Sequence, residues 1–181
     1  MNKRNAPDLY TERLKLVPLG LKHLSIDYVN WMNDNDVNKY LESGGDYTVE
    51  KLHKFLSQVE IDNILFWAIH IIENDKHIGN IKINPIHQKN KYAEYGIMMG
   101  DKSEWGKGYA KEASIKIINY CFSGELNLRK INLGVQAKNI AAIELYKKIG
   151  FIQEGRFVKH VLSFDDYDDI LRRAIFNPNH D

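Results

Sequence analysis

The sequence lacks the features that would tie a protein to an oxidising compartment, a membrane or nucleic acid. Its 181 residues include one cysteine, Cys121, so no disulfide can form within the chain, as is usual in a reducing cytoplasm. The longest apolar runs, such as residues 65–72, are too short to cross a bilayer, and residues 1–5 are not followed by the apolar segment of a signal peptide. Lysine and arginine number 25 against 24 acidic residues, so no strong field attracts a polyanion. We expect a cytoplasmic protein with no membrane or nucleic-acid partner.

Motifs for metals and for two common nucleotide sites are also absent. The seven histidines show no HExxH or other ligand spacing, so we expect no metal. No glycine is followed by four residues and then Gly-Lys-Ser or Gly-Lys-Thr, as a triphosphate loop requires. The dinucleotide fingerprint needs a third Gly or Ala where this chain has Lys111.

The hydrophobic pattern predicts a single α/β domain over residues 1–181, with a mixed, mostly antiparallel sheet flanked by helices. No repeat, low-complexity stretch or linker interrupts the chain, and its length suits one core. Hairpin signals combine with one strand–helix–strand crossover, which is typical of a mixed sheet. The predicted strands are residues 11–19, 65–72, 77–83, 92–99, 130–135, 151–163 and 168–176, the last two joined through residues 164–167. The predicted helices are residues 22–33, 48–61 and 108–122, and one that follows Asn139 and ends at Gly150.

A glycine-rich loop after strand 92–99 is the strongest functional signal. Residues 105–110 read Trp-Gly-Lys-Gly-Tyr-Ala and open a predicted helix. Glycines two positions apart remove the Cβ atoms that would keep a ligand away from the backbone. The helix start offers unpaired N–H groups and the positive end of the helix dipole. The loop is therefore predicted to hold phosphate groups.

Two segments together resemble the GNAT superfamily of acetyl-CoA-dependent N-acetyltransferases. Residues 105–110 resemble its pyrophosphate loop: Gly108 and Ala110 match, and Trp105 stands where Gln or Arg is more usual. Residues 139–151 resemble its Asn-x-x-Ala-x-x-x-Tyr-x-x-x-Gly-Phe segment. The order and spacing of the two segments also agree with the family, and the resemblance covers about residues 8–176.

The resemblance implies the GNAT fold and acetyl-CoA as cosubstrate. It implies that the strand before the loop and the strand after its helix splay apart, and that the first of them pairs with pantetheine and presents an N–H to the thioester oxygen. An ordinary core strand is the alternative. The residues implied to bind acetyl-CoA are Ile97, Met98, Met99, Trp105, Gly106, Lys107, Gly108, Tyr109, Ala110, Asn139 and Tyr146.

Direct attack of an amine on the thioester needs an acid for the departing thiolate and a base for the amine. Tyr146 falls on the family tyrosine whose phenol reaches the cofactor sulfur, so it is the general-acid candidate; a core aromatic is the alternative. Glu94 shares a strand face with Met98 and is the general-base candidate, with a cross-strand ion pair or a surface residue as the alternative. Cys121 lies in an apolar helical stripe and is interpreted as a buried structural thiol.

The acceptor is expected to be a primary amine. The loop is similar to the branch of ribosomal-protein N-terminal (alanine) acetyltransferases, which implies a protein amino terminus. An amino sugar or another small amine is the alternative within the enzyme class, and a non-catalytic acyl-CoA-binding module is the alternative outside it. Residues 37–43 fall in the region that shapes the acceptor side in this family. A monomer or a homodimer is expected.

Overall fold

The computed structural model describes residues 6–62, 64–163 and 166–180. The chain divides into two compact units. The first contains the described residues up to Asn84 together with Gly96–Lys116, and the second contains Pro85–Tyr95 and the described residues from Ile117 onward. Two strands and one helix contain residues of both units.

The first unit is built on a sheet in which neighbours along the chain pair side by side. Its strands are β1 (Leu9–Tyr10), β2 (Leu14–Pro18), β3 (Leu65–Ile71), the main part of β4 (His77–His87) and the end of β5 (Tyr92–Met99). The pairs β1–β2, β2–β3 and β3–β4 are antiparallel. The end of β5 lies beside β4, since the Gly100 N–H donates to the Ile78 carbonyl at 2.9 Å.

Three helices cover this sheet: α1 (Ile26–Asn33), α2 (Asn35–Asn38) and α3 (Val49–Asp62). Ser25 caps α1 by accepting from the Tyr28 N–H at 3.1 Å, and Thr48 caps α3 by accepting from the Lys51 N–H at 3.2 Å. Helices α1 and α3 bury one apolar face in a core formed by Leu19, Tyr28, Val29, Met32, Leu52, Leu56, Val59 and Ala68. The prediction of one helix over 22–33 was wrong: Leu24 is extended, so a 3₁₀ turn at Leu21–His23 precedes α1.

The second unit contains a parallel strand pair. The start of β5 pairs in parallel with β6 (Lys130–Gln136), β6 pairs antiparallel with β8 (Asp166–Phe176), and β8 pairs antiparallel with β7 (Ile152–Ser163). Helix α4 (Tyr109–Phe122) connects β5 to β6, and α5 (Ile140–Ile149) follows β6. The hairpin predicted for the last two strands is confirmed, although residues 164 and 165 of its predicted turn lie outside the described residues.

The predicted mixed α/β class with a mostly antiparallel sheet is confirmed by these pairings. The pairs β1–β2, β2–β3, β3–β4, β6–β8 and β7–β8 are antiparallel, and the parallel pair β5–β6 is joined by α4 as a strand–helix–strand crossover. In the described ranges, no helix has both the length and the apolar content needed to cross a membrane.

Three histidine rings meet in the first unit, a feature that the sequence pattern did not reveal. The centroids of His23, His70 and His77 lie 5.1–5.3 Å apart. Burial, followed by the neighbouring histidines, lowers the pKa of His23 to about 3. Burial also lowers the pKa of His77 to about 4, although an Asn80 hydrogen bond opposes this shift. Both rings are therefore neutral in the folded protein at physiological pH.

This cluster predicts a loss of stability in mild acid. In the unfolded chain the histidines titrate near their ordinary pKa of 6.5, so the unfolded state binds more protons than the folded state from there down to about pH 4. The free energy of unfolding should be fully present above pH 6.5 and should fall by roughly 3 kcal/mol between pH 7 and pH 5. Urea titrations at both pH values measure it.

His77→Gln should remove about half of that loss in the free energy of unfolding, because one of the two histidines with a lowered pKa is then absent. His53→Gln is the matched control, since His53 is exposed on α3. Equal pH dependence in wild type and His77→Gln would contradict this explanation of the acid sensitivity.

Candidate functional site

The loop at residues 105–110 has the open backbone that phosphate binding requires. Gly106 and Gly108 have φ values of 76° and 86°, a conformation that favours glycine. A Cβ built at Gly106 would meet no atom within 4 Å, so the space above the loop is free. Helix α4 begins at Tyr109, and the first N–H groups of a helix have no partner within it. The arrangement can hold an anion through backbone donors.

Arg13 fastens the loop to the start of the sheet, a role that the sequence pattern did not reveal. Its Nε and Nη2 contact the Glu112 carboxylate at 2.7 and 2.6 Å, and its Nη1 donates to the Lys107 carbonyl at 3.1 Å. The guanidinium also lies 4.5 Å from the centre of the Tyr109 ring. The pairing spans 99 residues, so no local spacing could have indicated it.

Glu112 accepts further bonds that fix it as an anchor in the first turn of α4. The Thr11 hydroxyl donates to Oε1 at 2.6 Å, and the Arg13 N–H donates to the same oxygen at 3.0 Å. Burial alone would raise the pKa of Glu112, but the bonds from Thr11 and Arg13 outweigh it and lower this pKa. Glu112 is therefore ionised at neutral pH.

Trp105 connects the loop to the end of β5. It stands at the position where the resemblance implies Gln or Arg, and its indole makes this connection. Its Nε1–H donates to the Met99 carbonyl at 3.0 Å, and 44% of the residue remains exposed. Lys107 pairs with Glu104 at 2.7 Å, so its charge is partly used inside the loop. Just beyond the strand end, Gly100 leaves room for Trp31, whose ring would lie 2.2 Å from an added Cβ.

The strand end next to the loop consists of the three residues predicted to face pantetheine. Ile97, Met98 and Met99 are half-buried in β5. They belong to the same compact unit as the loop. The predicted cofactor residues of β5 and residues 105–110 are thus brought into one unit.

In the second unit, α5 has the two caps that the sequence predicts. The Asn139 side chain accepts from the Ala142 N–H at 3.2 Å, and Gly150 takes the left-handed conformation at φ 108°. Asn139 is therefore committed to its helix through Oδ1. A cofactor contact by Asn139 stays a prediction.

Tyr146 lies on the buried face of α5. It is 7% exposed, with ring centroids at 5.9 Å from Tyr95 and 5.7 Å from Phe151. Burial raises the pKa of Tyr146 to about 12, so the phenol keeps its proton at neutral pH. A protonated phenol can act as a donor to a developing thiolate.

Glu94 takes part in an ion pair, which is the alternative that the sequence left open for it. Its Oε1 lies 2.5 Å from Nη2 of Arg172 in β8. The residue is half-buried in β5 and lines a cavity of about 580 Å³. The pair must open before Glu94 can accept a proton from an amine, and its role as base stays a prediction.

Cys121 is not placed for nucleophilic chemistry. It is fully buried in α4, and burial raises the pKa of its thiol to about 12. Within residues 6–62, 64–163 and 166–180, no group of three or more His, Cys, Asp and Glu side chains is arranged to hold a metal ion.

Comparisons with known proteins identify the family. Residues 13–152 match the family described as "Acetyltransferase (GNAT) domain", so the chain belongs to the GNAT family. It is 33% identical over 151 residues, 81% of this chain and 83% of the relative, to the uncharacterized N-acetyltransferase p20 of Bacillus licheniformis. A spermidine N(1)-acetyltransferase of Vibrio cholerae is 34% identical over 98 residues, 54% of this chain and 56% of the relative.

A crystal structure agrees with this assignment. The spermidine N-acetyltransferase of Vibrio cholerae, in complex with CoA and spermine, matches with a TM-score of 0.83 and 25% identity, over 92% of this chain and 97% of that one. The predicted family, fold and enzyme class are confirmed, and the protein is an N-acetyltransferase. None of these relatives is named as a ribosomal-protein acetyltransferase, so that finer branch is not established.

The Arg13 contacts predict a measurable coupling. A double-mutant cycle with Arg13→Lys and Glu112→Gln should give a coupling free energy of about 1 kcal/mol, because lysine cannot reproduce a forked contact and the pair is partly exposed. Urea denaturation of the two single variants and the double variant measures it. The Lys147–Glu144 pair, which is exposed on α5, is the control and should couple more weakly. Additive effects of Arg13→Lys and Glu112→Gln would contradict an anchoring role.

Proposed function

We propose that this protein transfers the acetyl group of acetyl-CoA to a primary amine of a small polyamine. The observation that carries the proposal is the open loop at the start of α4, with two glycines at positive φ and unoccupied space next to Gly106. The proposal treats residues 1–181 as one catalytic domain with its core at about 8–176. Cytoplasmic location, a monomeric or homodimeric state and the absence of a metal remain predictions.

The loop fits the pyrophosphate of the cosubstrate. A Cβ at Gly106 would enter space that no protein atom occupies, as expected where a ligand approaches the backbone. The Arg13 guanidinium beside Gly108 adds positive charge, at 3.5 Å from a Cβ built there. The crystal structure of a relative in complex with CoA supports the same cosubstrate. Residues 97–99 are proposed to hold pantetheine.

The chemistry is proposed to be direct transfer in a ternary complex. The amine nitrogen attacks the thioester carbonyl, the C–N bond forms and the C–S bond breaks. Tyr146 gives its phenolic proton to the departing thiolate, and burial keeps the phenol protonated until that step. Glu94 takes the proton released by the amine, directly or through water, after its pair with Arg172 opens.

A polyamine is favoured by the charge around residues 37–43, the segment predicted to shape the acceptor side. Residues 26–50 contain six acidic residues and one lysine, Lys39, on a chain whose net charge is +1. Lys102 pairs with Asp34 and Asp36, and Lys51 pairs with Asp46. In the described part of this segment, the remaining acids have no ion-pair partner. They are Asp27, Glu42 and Glu50. Negative charge concentrated here attracts a polycation more strongly than a singly charged amine. Two relatives named for spermidine support the same class.

The test is a mass-resolved assay of the pure protein with acetyl-CoA. The acceptors are spermidine, spermine, a peptide with an amino-terminal alanine and glucosamine. We expect acetylated polyamine and little product from the others. Product from the peptide alone would favour the protein-amino-terminus alternative. Binding of acetyl-CoA without product from any acceptor would favour a non-catalytic module.

The loop assignment predicts selective loss of cofactor affinity in Gly106→Ala. A methyl group in the ligand's space should raise the Kd for acetyl-CoA roughly tenfold, or about 1.4 kcal/mol. Gly124→Ala is a matched control, because Gly124 also has positive φ (60°) and no atom within 4 Å of its built Cβ. Both variants should lose similar stability. Calorimetric titration in which both variants bind like wild type would reject the assignment.

If Tyr146 is the general acid, Tyr146→Phe should lower turnover while the phenyl ring keeps the packing of the tyrosine ring. The kcat should fall roughly 100-fold, with acetyl-CoA affinity close to wild type. Tyr95→Phe is the control, because Tyr95 contacts the same ring yet is not assigned a proton. Steady-state rates that are unchanged in Tyr146→Phe would leave the residue as a core aromatic.

The base assignment predicts a pH-dependent deficit in Glu94→Gln. The rate deficit should shrink as pH rises, because more of the amine is then free without help from a base. Rates measured between about pH 6.5 and about pH 9.5 for wild type and variant give the comparison. A rate deficit of Glu94→Gln that stays constant with pH would contradict the role as base and would indicate that Glu94 positions other groups.

A further inference from the structure

A cavity in the second unit concentrates positive charge. It has a volume of about 580 Å³ and lies at the starts of β5 and β6. This volume falls in the range of small-molecule sites. Five cationic side chains line it, on a chain whose total net charge is +1. They are Lys89, Lys91, Arg129, Lys130 and Arg172.

Two of these cations are neutralised by partners and three are not. Lys130 pairs with Glu154 at 2.6 Å, and Arg172 pairs with Glu94 at 2.5 Å. Over the ranges that the structure describes, Lys89, Lys91 and Arg129 form no ion pair. Three uncompensated positive charges therefore surround one concave space. Like charges grouped in this way attract an anion with several negative charges.

The backbone brings these cations together at a conformational cost. Lys91 has φ 53°, a left-handed conformation that is unusual for lysine. Its carbonyl accepts from the N–H groups of Arg129, at 2.7 Å, and Lys130, at 3.3 Å. These bonds fix the turn between β4 and β5 to the start of β6. The main chain therefore brings Lys91, Arg129 and Lys130 together, whichever rotamers their side chains adopt.

A buried amide in the same wall lacks a partner. Asn132 lines the cavity, and its Oδ1 is buried with no hydrogen-bond partner among the described residues. Buried polar groups are normally bonded, so this one indicates a ligand or water.

We propose that this cavity binds an oligophosphate, meaning two or more linked phosphates, either free or as part of a nucleotide. A diphosphate matches three uncompensated cations better than a single carboxylate does. All residues that line this cavity belong to the second unit, and the glycine loop belongs to the first.

The test is calorimetric titration of the whole protein with inorganic pyrophosphate, with acetyl-CoA kept saturating so that the loop is occupied. We expect one site whose affinity falls at least fivefold in Arg129→Gln and in Lys89→Gln. Lys54→Gln, which removes an exposed charge from α3, should bind like wild type. Thermal denaturation of each variant checks that it is folded. The Gly106→Ala variant, titrated without acetyl-CoA, should retain the pyrophosphate site, so the result does not depend on the proposed loop function.

Two further ligands, ATP and a hexaglutamate peptide, identify the source of the phosphate and the chemistry of recognition. ATP that binds as tightly as pyrophosphate supports a nucleotide, and pyrophosphate that binds more tightly supports a free oligophosphate. A hexaglutamate peptide should bind more weakly than either. Absence of pyrophosphate binding, equal binding in wild type and both cavity variants, or preference for the peptide would overturn the proposal.

Discussion

The forked contact between Arg13 and Glu112 is the constraint on which the loop depends. It fixes the residue before β2 to the first turn of α4, and Arg13 also holds the Lys107 carbonyl in the middle of the loop. Because Gly106 and Gly108 have little steric preference, a loop of this composition would lose conformational entropy on ordering. A half-buried, ionised carboxylate and a guanidinium with fixed donors offset part of that cost. The backbone donors of the loop are thereby prearranged for a phosphate ligand.

Charge is distributed unevenly over a chain that is nearly neutral as a whole. Residues 26–50 are acidic, and the cavity at the starts of β5 and β6 is basic. A polycationic acceptor and a polyanionic ligand would therefore be drawn to different parts of the surface. Composition alone conceals this, because opposite local excesses cancel in the net charge of +1.

The sequence predicts best what depends on local spacing. Strand 92–99 has the predicted bounds, and α5 has both predicted caps, since apolar alternation and cap residues act within a few positions. Features made by distant residues were missed. Arg13 meets a partner 99 residues away, and the three histidines of the buried cluster come from a 3₁₀ turn and two strands. The break at Leu24 was missed because the capping role of Ser25 overrides the helical pattern around it.

Amide hydrogen exchange with and without CoA tests most directly whether the loop at the start of α4 is the phosphate site. We predict that CoA slows exchange at N–H groups within residues 106–111, because donors there become bonded to phosphate oxygens, whereas the Glu112 N–H is already bonded to the Gly108 carbonyl. The loop at residues 123–127, which also contains a positive-φ glycine, should be unaffected. Slowed exchange elsewhere with no change at residues 106–111, at CoA concentrations that saturate the protein, would contradict the phosphate-binding role of this loop.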